Sequence, residues 1–184
     1  GPTALIDCDM PQGTSSSWTA LRHADGRMGD LVLATARDHR ELVAHRERLS
    51  STRKYIIIDA PPRNAEMTRA VLMLASLVIV PVGPSAAEVW ATADLLKVVE
   101  EARARRPQLR VVLLWNRMRR TRSATEIPDG ARDELKVPAL KSRLGHRVAY
   151  SEVLGRGLTV EEWSDKVARQ ELKELVAEVV QLLK

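Results

Sequence analysis

The chain has 184 residues, enough for one domain with a substantial core. Hydrophobic residues make up 45% and charged residues 29%, a globular balance that argues against extended disorder, and no apolar run approaches the ~20 residues of a membrane-crossing helix. The net charge of +5 is carried mostly by arginine and permits phosphate-rich partners, while the single cysteine, Cys8, excludes an internal disulfide and a multi-cysteine metal site.

Gly1-Pro2 reads as a protease-cleavage remnant, and residues 3–184 as a single α/β domain. No secretory leader is read at the start, so the cytoplasm is the expected compartment. Thr3-Ala4-Leu5-Ile6-Asp7 is an apolar run ending in an acid and predicts a short buried strand. The polar turn Gln12 to Ser17 offers a cap for a helix through Trp18 and Leu21. Residues 31–49 carry apolar side chains with helical spacing, among them Leu42, Val43 and Leu49. Tyr55-Ile56-Ile57-Ile58-Asp59 is the clearest strand, and its run of β-branched residues predicts burial on both faces. Ala60-Pro61-Pro62 ends it.

Met67 to Ala75 then reads as a helix, Leu77 to Val82 as a strand stopped by Gly83-Pro84, and Ala86 to Arg105 as a long helix with a basic end. Leu109 to Trp115 is another buried strand, followed by an arginine-rich loop. Pro138-Ala139-Leu140 reads as a short last strand, and Val160 to Leu183 as an amphipathic helix. Strands alternating with helices predict an α/β fold, a mainly parallel sheet with helices on both faces. Ligands in such folds bind beyond the carboxyl ends of the strands. Three strand ends are polar there: Asp7 with Asp9, Asp59, and Asn116.

Magnesium takes hard oxygen ligands and keeps several waters, so one or two carboxylates at a strand end suffice for it. Asp59 after an apolar strand suits that task, although a turn former is the plainer reading of one such acid. Asp7 and Asp9 can serve a metal and a water, or sit in a solvated turn. Cys8 between them reads as a buried filler. Arginines gather in three groups: Arg117, Arg119, Arg120 and Arg122; Arg103, Arg105 and Arg106; and Arg143, His146, Arg147 and Arg156. Such groups neutralise phosphates and bind DNA without sequence preference. Complementing a helix dipole, or solvation of a loop, accounts for them equally at this level. Aromatic residues are only 3%, with no phenylalanine, which disfavours stacking on single-stranded bases. The mixed charge of the last helix argues against a membrane anchor.

Taken in order, these segments resemble the ParA/MinD-type partition ATPases of the deviant Walker A class. Leu5-Ile6-Asp7-Cys8-Asp9-Met10-Pro11-Gln12-Gly13, with Trp18 beyond, is similar to the family's Asp-x-Asp-Pro-Gln-Gly segment. Tyr55 to Pro62 resembles its Walker B strand, and Leu77 to Ser85 its next strand and proline turn. Asn116-Arg117 falls where the adenine-contacting loop begins, and Gly145 to Glu152 with Gly157 resembles the C-terminal signature. The resemblance implies a P-loop NTPase-like three-layer α/β/α fold, with ATP and Mg2+ as cofactors. It implies Asp59 and Asp7 at the metal, Asp9 orienting the hydrolytic water, and Pro84, Ser85 and Asn116 along base and ribose. It further implies a homodimer on the nucleoid, non-specific DNA as a partner, and a ParB/ParG-like centromere-binding adaptor. Arg117, Arg120, Arg143 and Arg147 are the expected DNA contacts. Two departures stand out. The family's Lys-Gly-Gly-x-Gly-Lys-Thr-Thr loop occurs nowhere in the 184 residues, so ATP hydrolysis is in doubt and exposed apolar surface is expected. Met10 also separates Asp9 from Pro11. The alternative is a nucleotide-independent pseudo-ATPase that serves as an interaction module.

Overall fold

A computed structural model describes residues 1–10, 12–62, 64–119 and 121–184. They form two compact units, one of Gly1–Leu74 with Glu152–Thr159, the other of Ala75–Ser151 with Val160–Lys184. Each has its own three-stranded parallel sheet.

In the first unit the strands are β1 (Thr3–Asp7), β2 (Leu31–Thr35) and β3 (Tyr55–Asp59), in the order β2-β1-β3. Central β1 contributes Ala4 and Ile6, both fully buried. Its last residue, Asp7, lies opposite Thr35 on one side and Asp59 on the other. The helices of this unit are α1 (Thr14–Ala24), α2 (His39–Ser50) and α3 (Ala65–Leu74). The helical spacing read over residues 31–49 holds only from His39 onward. Asp38 caps α2 by accepting from the Arg40 and Glu41 N–H groups, and Leu42 and Leu49 point inward. Residues 31–35 are instead a strand, because β1 offers them a parallel ladder that local spacing cannot reveal.

The expectation that β3 is buried on both faces fails. Among the described residues β3 pairs with β1 alone, and Ile57 is 56% exposed. An edge strand loses the cover that a second neighbour provides. Met73 of the same unit is exposed as well, as is Trp90 in the second unit.

In the second unit β4 (Leu77–Val82), β5 (Arg110–Met118) and β6 (Ala139–Gly145) run in the order β4-β5-β6. Val111 to Trp115 of β5 are all buried. Helix α4 (Ala86–Arg105) starts at Ser85, whose side chain accepts from the Glu88 N–H, and buries Val89, Thr92, Leu96 and Val99 at helical spacing. Helix α5 (Arg122–Leu135) occupies the region read as a loop, because Pro128 and the crowding of arginines hid its periodicity. Helix α7 (Lys166–Leu182) lays Leu175, Val179 and Leu182 on the cluster of Val112, Leu114 and Leu140. Glu178 on α7 accepts from the Lys141 and Ser142 N–H groups of β6, at 2.8 and 2.9 Å. That acid satisfies an otherwise open sheet edge. Helix α6 (Val148–Gly155) precedes a 3-10 turn at Val160–Glu162. Among the described residues no helix is long and apolar enough to cross a membrane.

In the first unit α1 is clamped to the segment after α6. The Trp18 indole N–H donates to the Leu158 carbonyl at 2.8 Å, and Arg22 donates to the Gly157 carbonyl at 2.9 Å while lying over the Trp18 ring. Gly157 has φ +64°, and a Cβ there would come within 2.6 Å of Leu21 Cβ. Gly157→Ala is therefore expected to lower stability by roughly 1–3 kcal/mol, read as an earlier unfolding midpoint by circular dichroism.

Candidate functional site

The carboxyl end of the first unit's sheet is built around two acids in register. Gly13 starts α1 with φ 57° and has no side chain to cap the helix. The carboxylate of Asp7 takes that role. Its Oδ2 accepts the Ser16 N–H at 2.8 Å and the Ser16 hydroxyl at 2.6 Å, and its Oδ1 accepts the Asp9 N–H at 3.1 Å. Asp7 is fully buried, so these charge-assisted bonds and the positive end of α1 replace its hydration. The neighbouring Asp59 is only half-buried, and one oxygen accepts the Ser15 hydroxyl at 2.6 Å. Asp9 is half-buried beside them. Burial, with the charges of Asp7 and Asp59, pushes the Cys8 thiol up to about 12, so it stays protonated and inert. Among the described residues no three His, Cys, Asp or Glu side chains converge as a metal cage. The arrangement suits a hydrated magnesium shared with phosphates, which needs one or two carboxylates; Asp59 is the more accessible of the two.

In the second unit the carboxyl ends of β4 and β5 carry Pro84 and Ser85, and Asn116 and Arg117. Between Trp115 and Met118 the strand gains one residue on its partner β6, a bulge that places Arg117 at φ 55°. The Asn116 side-chain oxygen accepts the Arg117 N–H at 2.8 Å. A cavity of about 300 Å3 at the ends of β5 and β6 is lined by Met118, Arg119, Gly145, His146 and Arg147. Behind it, Arg147 donates twice to Glu171, at 2.6 and 3.0 Å, and the Tyr150 hydroxyl and Gly145 N–H donate to the same carboxylate.

No family model matches the chain. A maintenance of carboxysome distribution protein A from Halothiobacillus neapolitanus is 24% identical over 185 residues, covering 98% of this chain and 83% of the relative. The apo McdA structure from Cyanothece superposes with a TM-score of 0.78 at 13% identity, covering 97% of this chain and 87% of that one. MinD from Pyrococcus horikoshii with Mg-ADP gives 0.72 at 16% identity, covering 98% and 85%. The chain shares the fold of these MinD and McdA structures. Its α/β class with parallel strands is the P-loop NTPase-like fold expected from the sequence.

Asp7, Asp9 and Asp59 are neighbours at the strand ends of the first unit, while Pro84, Ser85 and Asn116 sit at strand ends of the second. Of the arginines read as DNA contacts, Arg143 is exposed, Arg117 is paired with Glu88 at 2.7 Å, and Arg147 is engaged by Glu171. Arg120 lies outside the described residues, as does Pro11. The sequence marked Ser15 and Ser16 only as part of a polar turn and Glu171 only as one acid of the last helix; Glu88 was not singled out, although Ser85-x-x-Glu88 is a capping-box pattern.

Asp7→Ala is expected to lower stability by roughly 2–4 kcal/mol, because the Ser16 and Asp9 N–H groups lose a buried charged acceptor. Asp59→Ala should cost distinctly less, and denaturant unfolding of both variants checks the ranking. Glu171 titrates below its ordinary 4.5: burial raises it, but the bonds from Arg147, Gly145 and Tyr150 together lower it more. A depressed carboxyl pKa stabilises the fold above its unfolded value and loses that contribution as pH falls through the folded value. The melting temperature should therefore drop as pH is taken below 4.5, and Glu171→Gln should flatten that part of the profile.

Proposed function

We propose that this chain is a ParA-type partition or cargo-positioning protein of ATPase ancestry, working as a cytoplasmic, nucleoid-associated homodimer. Non-specific DNA is its matrix and a ParB/ParG-like adaptor connects it to cargo. The observation that carries the proposal is the in-register pair of Asp7 and Asp59, with Asp9 two residues on, in a chain similar over 98% of its length to a carboxysome-distribution protein. In the first unit Asp59 would hold magnesium through water with Asp7 near the metal, where it also fixes the strand end against α1, and Asp9 would orient a water for attack on phosphate. In the second unit Pro84, Ser85 and Asn116 would face the base and ribose of ATP. These residues include no Gly-rich lysine loop, whose N–H groups and charge supply most phosphate binding in such sites. Binding to matrix and partner is thus proposed for these residues themselves, and ATP hydrolysis only with further phosphate donors.

A second reading is a nucleotide-independent interaction module. It is favoured by Ser15 and Ser16, whose hydroxyls each engage one oxygen of Asp59 and Asp7 respectively. Fluorescent ATP titrated with and without magnesium separates the two. Magnesium-dependent binding that Asp59→Ala abolishes supports the ATPase-type reading, and no binding by either folded protein supports the module. For the DNA matrix, affinity for a random-sequence duplex should fall at least about tenfold between roughly 50 and 200 mM salt, because the contacts are ionic. Arg143→Ala should weaken binding to every sequence alike.

A further inference from the structure

Glu88 occupies an unusual place for a capping-box acid. Such an acid ordinarily reaches back to the N–H of the capping residue. Here the Ser85 N–H donates to the Gly83 carbonyl, at 2.9 Å, and the α4 start is satisfied by the Ser85 side chain. The Glu88 carboxylate is turned elsewhere. Its Oε2 accepts the Gly83 N–H at 2.7 Å and the Arg117 guanidinium at 2.7 Å. Two donors from different elements, the turn after β4 and the end of β5, thus converge on one anionic oxygen.

Two features keep that geometry. A Cβ on Gly83 would crowd the Glu88 carboxylate where it now lies, so glycine lets that oxygen come close to the N–H. Arg117 sits in the left-handed region within a bulge, a placement that costs energy for a non-glycine residue and aims its side chain. The pair is reachable from solvent, with the Glu88 side chain 38% and that of Arg117 60% exposed. It lies beyond the carboxyl ends of β4 and β5, where parallel folds bind ligands.

We propose that the Gly83 N–H and the Arg117 guanidinium form an oxyanion site whose resident occupant is the Glu88 carboxylate, and that a backbone phosphate of duplex DNA exchanges with it. The proposal rests on the DNA-matrix reading. A phosphate oxygen accepts the same charge-assisted bonds as a carboxylate oxygen, and guanidinium suits both. Glu88 then competes with DNA for Arg117. Glutamine removes the charge that competes with phosphate for Arg117, while its neutral amide oxygen, a weaker and more readily displaced acceptor, still serves the Gly83 N–H and spares the turn.

The test is the anisotropy of a fluorescein-labelled random-sequence duplex, at low salt, with the full chain. Glu88→Gln is expected to tighten binding roughly three- to tenfold. The gain should vanish in Glu88→Gln combined with Arg117→Gln, compared with Arg117→Gln alone. It should vanish equally with Gly83→Ala, whose Cβ fills the oxygen's place. Glu100→Gln is the control, since it frees Arg103 on the same helix, and should change affinity less than twofold. A circular dichroism melt of each variant establishes that it is folded. The proposal is overturned if folded Glu88→Gln binds no tighter, if the gain survives Arg117→Gln, or if Glu100→Gln gains as much. A gain for fluorescent ATP without one for duplex overturns the assignment to DNA. Duplex binding by the unmodified chain with no gain in Glu88→Gln sinks this site and leaves the DNA reading standing. Absence of duplex binding in every variant sinks both.

Discussion

A buried carboxylate at the start of a helix is the constraint on which the first unit depends. Gly13 enters α1 in a left-handed conformation and brings no capping side chain. The exposed N–H groups of the first turn therefore need an acceptor from elsewhere. Asp7 supplies it from the end of the central strand, and in doing so fixes where α1 starts relative to β1. The same contact sets Ser15 against Asp59, so the two acids of the strand edge are positioned by one helix. Further along α1, Trp18 and Arg22 tie its outer turns to the Gly157 segment. A change at either end of the helix is thereby felt at the carboxylates.

The second unit repeats the use of acids as acceptors for backbone N–H groups. Glu88 serves the Gly83 N–H, Glu171 the Gly145 N–H, and Glu178 two N–H groups of β6. Asp38 and Asp165 do the same as helix caps in their own units. Arg119, Arg143 and His146 are exposed near the ends of β5 and β6, where a polyanion would meet them first.

That pattern also separates arginines by task. Arg147 is a structural partner of Glu171 and Tyr150, held on the protein side of the cavity. Arg22 serves carbonyl groups at the clamp. Arg117 stands between these cases: it is exposed, strained at its backbone and held by an acid that a phosphate could replace. Counting arginines in a loop cannot make these distinctions, because each depends on which acid the fold brings within reach.

The ends of β1, β3 and β4, the full length of α4, and the acids at the strand ends were legible in the sequence alone. Each is a local matter of apolar runs, β-branched residues and turn formers, and all are legible at short range. The family resemblance rested on the same short segments. Only the tertiary structure decided that Leu31–Thr35 is a strand, since its ladder partner β1 is distant in sequence. It alone showed β3 as an edge with Ile57 exposed, because burial depends on neighbours rather than on composition. It alone paired Asp7 with Ser16, Asp59 with Ser15, and Glu88 with Gly83 and Arg117. A carboxylate's role is set by the donors within about 3 Å of it, and in a parallel fold several of those donors come from distant parts of the chain.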